Sequence, residues 1–325
     1  MDEHHPGCIR QLCPSPEIHD NRQWQSPIQF KPIKGLTRAI RMGTAYEVIT
    51  DRILKLLEAG TVPWHRPWGG DERHPRNLVS DKRYRGVNVF LLSAAGYEAP
   101  YWLTFKQARH RDGYVRKGER GFPCVFWKWV DRDDPDTGET TRHPFLRYYT
   151  VFNVEQCEGI EYPDLTIPDR VFSPIQRCQD VVANMPRAPP IGHGGVRAIY
   201  DPQSGRVQIP LRERFDGPEA YYSTMFHELV HSTGHESRLA RPGITQSIVF
   251  GSRTYSKEEL VAEMGATFLC GHTGIENAVI DNSASYIASW LGRLRNDSRL
   301  VVQSAAQSQK AVDYVLDRQV EAKSV

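Results

Sequence analysis

The chain has 325 residues, 39% of them hydrophobic, a mean hydropathy of −0.53 and a formal net charge of +2, which is ordinary for a soluble protein with room for two domains. No apolar run approaches the roughly 18 residues needed to cross a bilayer, and the first twenty residues lack the apolar core of a signal peptide. A membrane partner is therefore not expected. Cys8, Cys13, Cys124, Cys157, Cys178 and Cys270 are scattered with no C-x-x-C pair, so a reducing cytoplasm is expected rather than a disulfide framework.

Residues 1–43 read as a disordered N-terminal extension, punctuated by Pro6, Pro14, Pro16, Pro27 and Pro32. His4, His5, Cys8 and Cys13 are spaced too irregularly for a ligand cluster, and Met42 sits just before the first patterned segment, so part of this tail reads as an upstream extension. From Tyr46, apolar residues recur at helical intervals behind Thr44 as N-cap, with Gly60 and Pro63 as the stop. Helical segments follow near Gly86–Ala95 and over Tyr101–Arg111, the latter capped by Thr104. Strands at Cys124–Val130 and Leu146–Val154 flank a polar turn-forming loop, which predicts a hairpin. These elements make an α+β domain over 44–160.

The proline-bearing stretch 161–174 reads as a linker to a second domain over 175–325. There a helix is expected over Ile175–Met185, then a loop, Pro186–Gly195, too rich in proline and glycine for regular structure. A second hairpin follows, pairing Val196–Tyr200 with Arg206–Ile209. Pro218 suits the first turn of a helix that Gly234 ends. Later helices fall near Ser256–Gly271, Tyr286–Leu294 and Leu300–Leu316.

The Pro218 helix carries His227-Glu228-Leu229-Val230-His231, an H-E-x-x-H pattern. Histidines four apart project from one helical face and can grip one Zn²⁺, with Glu228 placed as general base beside a metal-bound water. Mn²⁺ or Co²⁺ would accept the same set. The third ligand is left open among Glu259, favoured, and Glu263 or His235. Glu259 and Glu263 lie one turn apart on the expected Ser256 helix, and Glu263 has the spacing of a carboxylate supporting a ligating histidine. A competing role for Glu259 is a capping box begun by Ser256.

Residues 73–130 carry 12 Lys and Arg against 4 Asp and Glu, a local +8, interleaved with aromatic side chains, among them Tyr84, Tyr101, Trp102, Phe105, Tyr114, Phe122, Trp127 and Trp129. Cations for a phosphate backbone and rings on which bases stack are the means of sequence-tolerant single-strand binding. The candidate contacts are Arg83, Arg85, Trp102, Lys106, Arg116, Lys117, Arg120 and Trp127, with Arg116-Lys117-Gly118-Glu119-Arg120-Gly121 as a phosphate-contacting loop.

Tyr84-Arg85-Gly86-Val87-Asn88, Trp102-Leu103-Thr104-Phe105-Lys106-Gln107-Ala108, Val115-Arg116-Lys117-Gly118-Glu119, the His227–His235 stretch and Glu258–Glu263 together resemble the ArdC antirestriction family. The first half is also similar to the N-terminal region of conjugative TraC-type primases. The resemblance implies a single-stranded-DNA-binding N-terminal domain joined to a zincin-like metallopeptidase domain. It also implies protection of plasmid DNA from host restriction during conjugation. A protein substrate bound to DNA, or a restriction enzyme, would then be a further partner. The family's metal residues would fall on His227, His231 and Glu259, with Glu228 as base. Two alternatives are a non-catalytic DNA-coating protein with a structural metal, and a protease acting on DNA-bound proteins.

Overall fold

The computed structural model describes residues 44–64, 73–133, 140–164, 174–246, 252–275 and 284–319. The expectations for the tail 1–43 and for most of the 161–174 linker lie outside these residues.

Helix α1 (Ala45–Glu58) opens as the sequence requires: the Thr44 hydroxyl accepts from the Glu47 amide, and Glu47 accepts from the Thr44 amide in return. It buries Ile49, Ile53 and Leu57 along one face. Strand β1 (Arg76–Asn77) precedes helix α2 (Val87–Ser93), which begins after Gly86 at φ +59°. The expected Tyr101–Arg111 helix divides into strand β2 (Tyr101–Leu103) and the short helix α3 (Phe105–Arg109), with Thr104 capping the latter through Gln107. Strand β3 (Tyr114–Val115) comes next. The expected hairpin forms from β4 (Phe122–Asp133) and β5 (Thr140–Asn153), in register Cys124↔Tyr149 and Trp127↔Leu146. Strand β6 (Cys157–Glu158) pairs with β3, while the larger sheet runs β1-β2-β5-β4.

Helix α4 (Pro174–Asn184) leads to strands β7 (Ile191–His193), β8 (Ile199–Asp201) and β9 (Arg206–Ile209), a sheet in the order β7-β9-β8. The β7 strand corrects the expectation of no regular structure over Pro186–Gly195. Pro189 and Pro190 precede it and Gly194-Gly195 follow it, so these residues bound a three-residue parallel pairing with β9 rather than interrupting it. Helix α5 (Pro218–Ser232) carries the H-E-x-x-H pattern, followed by α6 (Pro242–Thr245), α7 (Arg253–Thr273), α8 (Ala284–Asn296) and α9 (Leu300–Val315).

From Thr44 onward the chain forms one compact unit. One buried apolar cluster takes in Ile49 and Phe90 from the first half and Phe226, Leu260 and Val301 from the second. Phe90 stacks on Phe268 at 4.6 Å, and the Thr50 hydroxyl donates to the Ser298 carbonyl at 2.7 Å. Arg85 pairs with Asp313 of α9. No helix among the described residues is long and apolar enough to cross a membrane.

Candidate metal centre

Because α5 turns once per 3.6 residues, His227 and His231 emerge on the same side, and their Nε2 atoms lie 3.1 Å apart. Helix α7 crosses α5 very closely, with Gly265 against Val230. A Cβ on Gly265 would stand 2.7 Å from a Val230 methyl, so only glycine permits this approach. The approach delivers Glu259, whose carboxylate oxygens lie 3.8 Å from His227 Nε2 and 3.6 Å from His231 Nε2. Ligands held at about 2.0–2.2 Å around a tetrahedral ion sit about 3.3–3.6 Å from one another, so the three side chains fit a single divalent cation. Among the described residues, this is the group of His, Cys, Asp and Glu side chains whose ligand atoms converge in that way.

Glu259 is the carboxylate that reaches the centre, and the capping-box alternative fails on geometry. Ser252 caps α7 through the Tyr255 amide, three residues before the expected start, which leaves Glu259 inside the helix. The Tyr255 hydroxyl hydrogen-bonds the Glu259 carboxylate. Burial raises the Glu259 pKa, the response of a carboxyl group removed from water.

His231 is fixed from behind by a residue the sequence pattern did not single out. Its Nδ1 lies 3.3 Å from Glu258 Oε1, and Arg241 donates to both Glu258 oxygens, from Nη2 at 2.7 Å and from Nε at 3.0 Å. The same guanidinium donates to the Thr233 hydroxyl at 2.6 Å and the Val230 carbonyl at 2.7 Å, tying the end of α5 to the start of α7. A carboxylate on Nδ1 favours the tautomer with its proton there and leaves Nε2 free to ligate. Burial works against a charged imidazole at His231. The bond to Glu258 and the nearby Glu259 and Glu228 outweigh it, raising the pKa to about 9. The sign of Glu258 in the sequence was its place beside Glu259, but its partner Arg241 is 17 residues away and gave none.

Glu228 is 7% exposed, and its Oε2 accepts from the Tyr200 backbone amide at 2.7 Å. Tyr200 lies on β8, an outer strand of its sheet. Glu263, expected to support a ligating histidine, lies against Tyr286. It accepts from the Tyr286 hydroxyl, which in turn accepts from Trp64 Nε1 at 3.1 Å, and burial raises its pKa to about 8. His235 lies past the end of α5 with Nδ1 2.9 Å from the Ser237 hydroxyl, outside the converging group.

The candidate nucleic-acid residues divide. Arg83, Lys106, Lys117 and Arg120 are exposed on the first half, and Trp127 is 45% exposed. Arg116 is exposed but already bonded to Glu119 and the Glu155 carbonyl, and Arg85 is paired to Asp313. Trp102 is a correction. It is 1% exposed and packs edge-on against Tyr97 and Phe122, so its ring is part of the core and has no free face for a base.

Two family models match the chain: the N-terminal domain of anti-restriction factor ArdC over residues 43–152, and a zincin-like metallopeptidase over 180–307. The metal-free crystal structure of the antirestriction ArdC protein from R388 plasmid superposes with a TM-score of 0.66 at 35% identity, covering 84% of this chain and 97% of that one. The chain belongs to the ArdC antirestriction family. The Mn(II)-bound structure of the same R388 ArdC matches equally, at 33% identity, a TM-score of 0.66 and 99% coverage of that chain. The uncharacterized protein y4eC of Sinorhizobium fredii is 36% identical over 291 residues, 85% of this chain and 93% of its own length. DNA primase TraC of Escherichia coli is 34% identical over 292 residues, a match that takes in 83% of this chain but 27% of the primase. These similarities place an ArdC-type N-terminal region beside a zincin-like domain, and an ArdC relative with Mn(II) bound points to a divalent metal.

Proposed function

We propose that this ArdC-family protein is a cytoplasmic antirestriction protein that binds single-stranded DNA without sequence preference and hydrolyses peptide bonds at a zinc-type centre, protecting incoming plasmid DNA during conjugation. The observation that carries the hydrolytic half is the convergence of His227, His231 and Glu259 on one point with Glu228 alongside. A divalent ion held there would polarise a carbonyl and acidify a bound water. Glu228, the carboxylate of the H-E-x-x-H pattern, would be the group placed to take a proton there. Glu258 and Arg241 hold the His231 ring so that Nε2 stays presented. Support for the DNA-binding half is the +8 segment with its exposed cations and rings, and the ArdC and TraC relatives. The domain boundaries 44–160 and 175–325 are proposed as the division of labour between these two activities.

One observation favours a second reading, a DNA-coating protein whose metal is structural. Glu228 is closed over by β8 and already hydrogen-bonded by a backbone amide. The experiment compares restriction protection by Glu228→Gln and by a triple variant with Arg116, Lys117 and Arg120 changed to Glu. Loss in both supports the coupled function. Full protection by Glu228→Gln with loss in the triple variant selects the coating protein.

A further inference from the structure

On the first half of the molecule, a cavity of about 300 Å³ is lined by Asn77, Gln107, Tyr84, Tyr149, Lys82 and Arg83, together with Ser80 and Thr104. We infer that it seats one unpaired thymine nucleotide, with the neighbouring base stacked on Phe126. The inference rests on the single-strand-binding reading and names where that strand runs and which base it favours.

The amides at the cavity have their orientation fixed by backbone groups. Asn77 Oδ1 accepts from the Val79 and Ser80 amides, each at 3.1 Å, which fixes which end of this amide is oxygen and which is nitrogen. Gln107 Oε1 accepts from the Thr104 amide at 2.8 Å and from Asn77 Nδ2 at 3.1 Å, so its nitrogen is also assigned. Gln107 Nε2 spends one hydrogen on Asn77 Oδ1 at 3.3 Å. Gln107 Nε2 thus keeps a second hydrogen, the second hydrogen of Asn77 Nδ2 is turned toward the Tyr84 hydroxyl, and neither amide keeps an uncommitted carbonyl. Lys82 and Arg83 add donors at the rim. The Tyr84 hydroxyl, 94% buried with its residue, lies near Asn77 and Tyr149 without a well-formed hydrogen bond to either. A wall that offers donors matches thymine, which presents two carbonyls and no exocyclic amine. Adenine would turn its amino group toward other donors.

The strand continues onto β4 and β5. Cross-strand partners share a face, so Tyr149, opposite Cys124, and Arg147, opposite Phe126, lie on the same side of the hairpin. Phe126 is 43% exposed and meets Tyr149 edge-on at 5.7 Å, so a base stacked on Phe126 is adjacent to the cavity. Arg147 and Lys128 are exposed beside it for the phosphates. Trp127 points to the opposite face, where it meets Tyr46, and is off this path.

The test measures anisotropy of labelled 20-mers of dT and dA with the full chain, alongside photocrosslinking of a dT 20-mer carrying 5-iododeoxyuridine. Wild type is expected to bind dT about tenfold tighter than dA, the worth of about one or two net hydrogen bonds. Phe126→Ala should weaken both about tenfold, as loss of one stacked base does. Gln107→Glu retains the Thr104 capping box but reverses the donor, and should erase the dT preference with a thermal midpoint close to wild type. Crosslinks should map to the Phe126 and Tyr149 peptides. Binding of dT by wild type with no loss in Phe126→Ala, no change of preference in Gln107→Glu, or crosslinks elsewhere overturns the track and leaves the single-strand reading intact. No binding of either 20-mer at any salt overturns both.

Discussion

At the metal centre, His231, Glu258 and Arg241 are each bonded to another buried group, and Arg241 is 4% exposed. On the β4–β5 hairpin, Phe126 on one face and Trp127 and Tyr148 on the other stand 43–45% exposed, near exposed cations. The first arrangement fixes atoms to within the tolerance of a coordination bond. The second leaves rings and charges free to meet a flexible polyanion. The difference teaches that precision here was built from buried polar contacts, and adaptability from surface left unfinished, within a single compact unit.

The largest expected effect breaks the metal side alone. Glu228→Gln keeps the size of the side chain and removes the base. Peptide hydrolysis should fall by roughly 10²–10⁴, the usual worth of general-base catalysis, while metal content measured by elemental analysis stays at one equivalent. Retained hydrolysis would take Glu228 out of the chemistry.

Next comes the clamp. Arg241→Met leaves Glu258 buried without its cation and should cost about 3–5 kcal/mol in denaturant unfolding. The milder Glu258→Gln should weaken metal binding about 10–100-fold in competition with a chelator, because His231 loses the carboxylate that orients it. Equal metal affinity in Glu258→Gln and wild type would make the clamp purely a strut. Gly265→Ala tests the helix crossing itself. The new methyl would meet Val230 at 2.7 Å, and overpacking of that kind costs about 1–3 kcal/mol, read as a lowered thermal midpoint.

How much of this contrast the residues announced depends on the distance between cooperating groups. His227, Glu228 and His231 form a contiguous pattern whose helical period dictates their convergence, and Glu259 followed from one turn of another helix. Arg241 supports them from a loop, held by a tertiary contact that has no local periodicity. Thr44 and Thr104 were legible as caps because a cap is a local bond. The β7 strand was hidden because its partner β9 lies a dozen residues on, and proline and glycine at its borders mimic a loop. On the basic half, composition identified the character of the surface but not its members. Trp102 and Trp127 look alike in sequence, and only packing against Tyr97 and Phe122 sends one inward.

A pH effect sharpens the metal side further. His231 holds its proton in the metal-free protein up to about pH 9, above the ordinary 6.5 of an imidazole. A raised pKa stabilises the fold fully below pH 6.5, and that contribution is lost as pH rises through about 9. An ion needs the neutral ring, so metal binding at pH 7 should release a proton. The heat of binding in calorimetry should therefore change with the ionisation enthalpy of the buffer. The upward shift of the thermal midpoint by metal should grow between pH 6.5 and 9.

The smallest expected effect probes the other region. Lys117 and Arg120 are exposed on either side of Gly118, whose φ of +94° turns the loop outward, whereas the neighbouring Arg116 is already committed to Glu119 and the Glu155 carbonyl. Charges without a protein partner are the ones a phosphate can claim. Changing both to Ala should lower the slope of log affinity against log salt by roughly 0.7 for each phosphate that is no longer neutralised. Surface substitutions of this kind shift stability by no more than about 0.5 kcal/mol. Metal affinity should not move, because His231, Glu258 and Arg241 are bonded to one another and to the end of α5, away from this loop. An unchanged salt slope would place the phosphates along Lys82, Lys128 and Arg147 instead, and the contrast would then lie between the metal centre and the β4–β5 face alone.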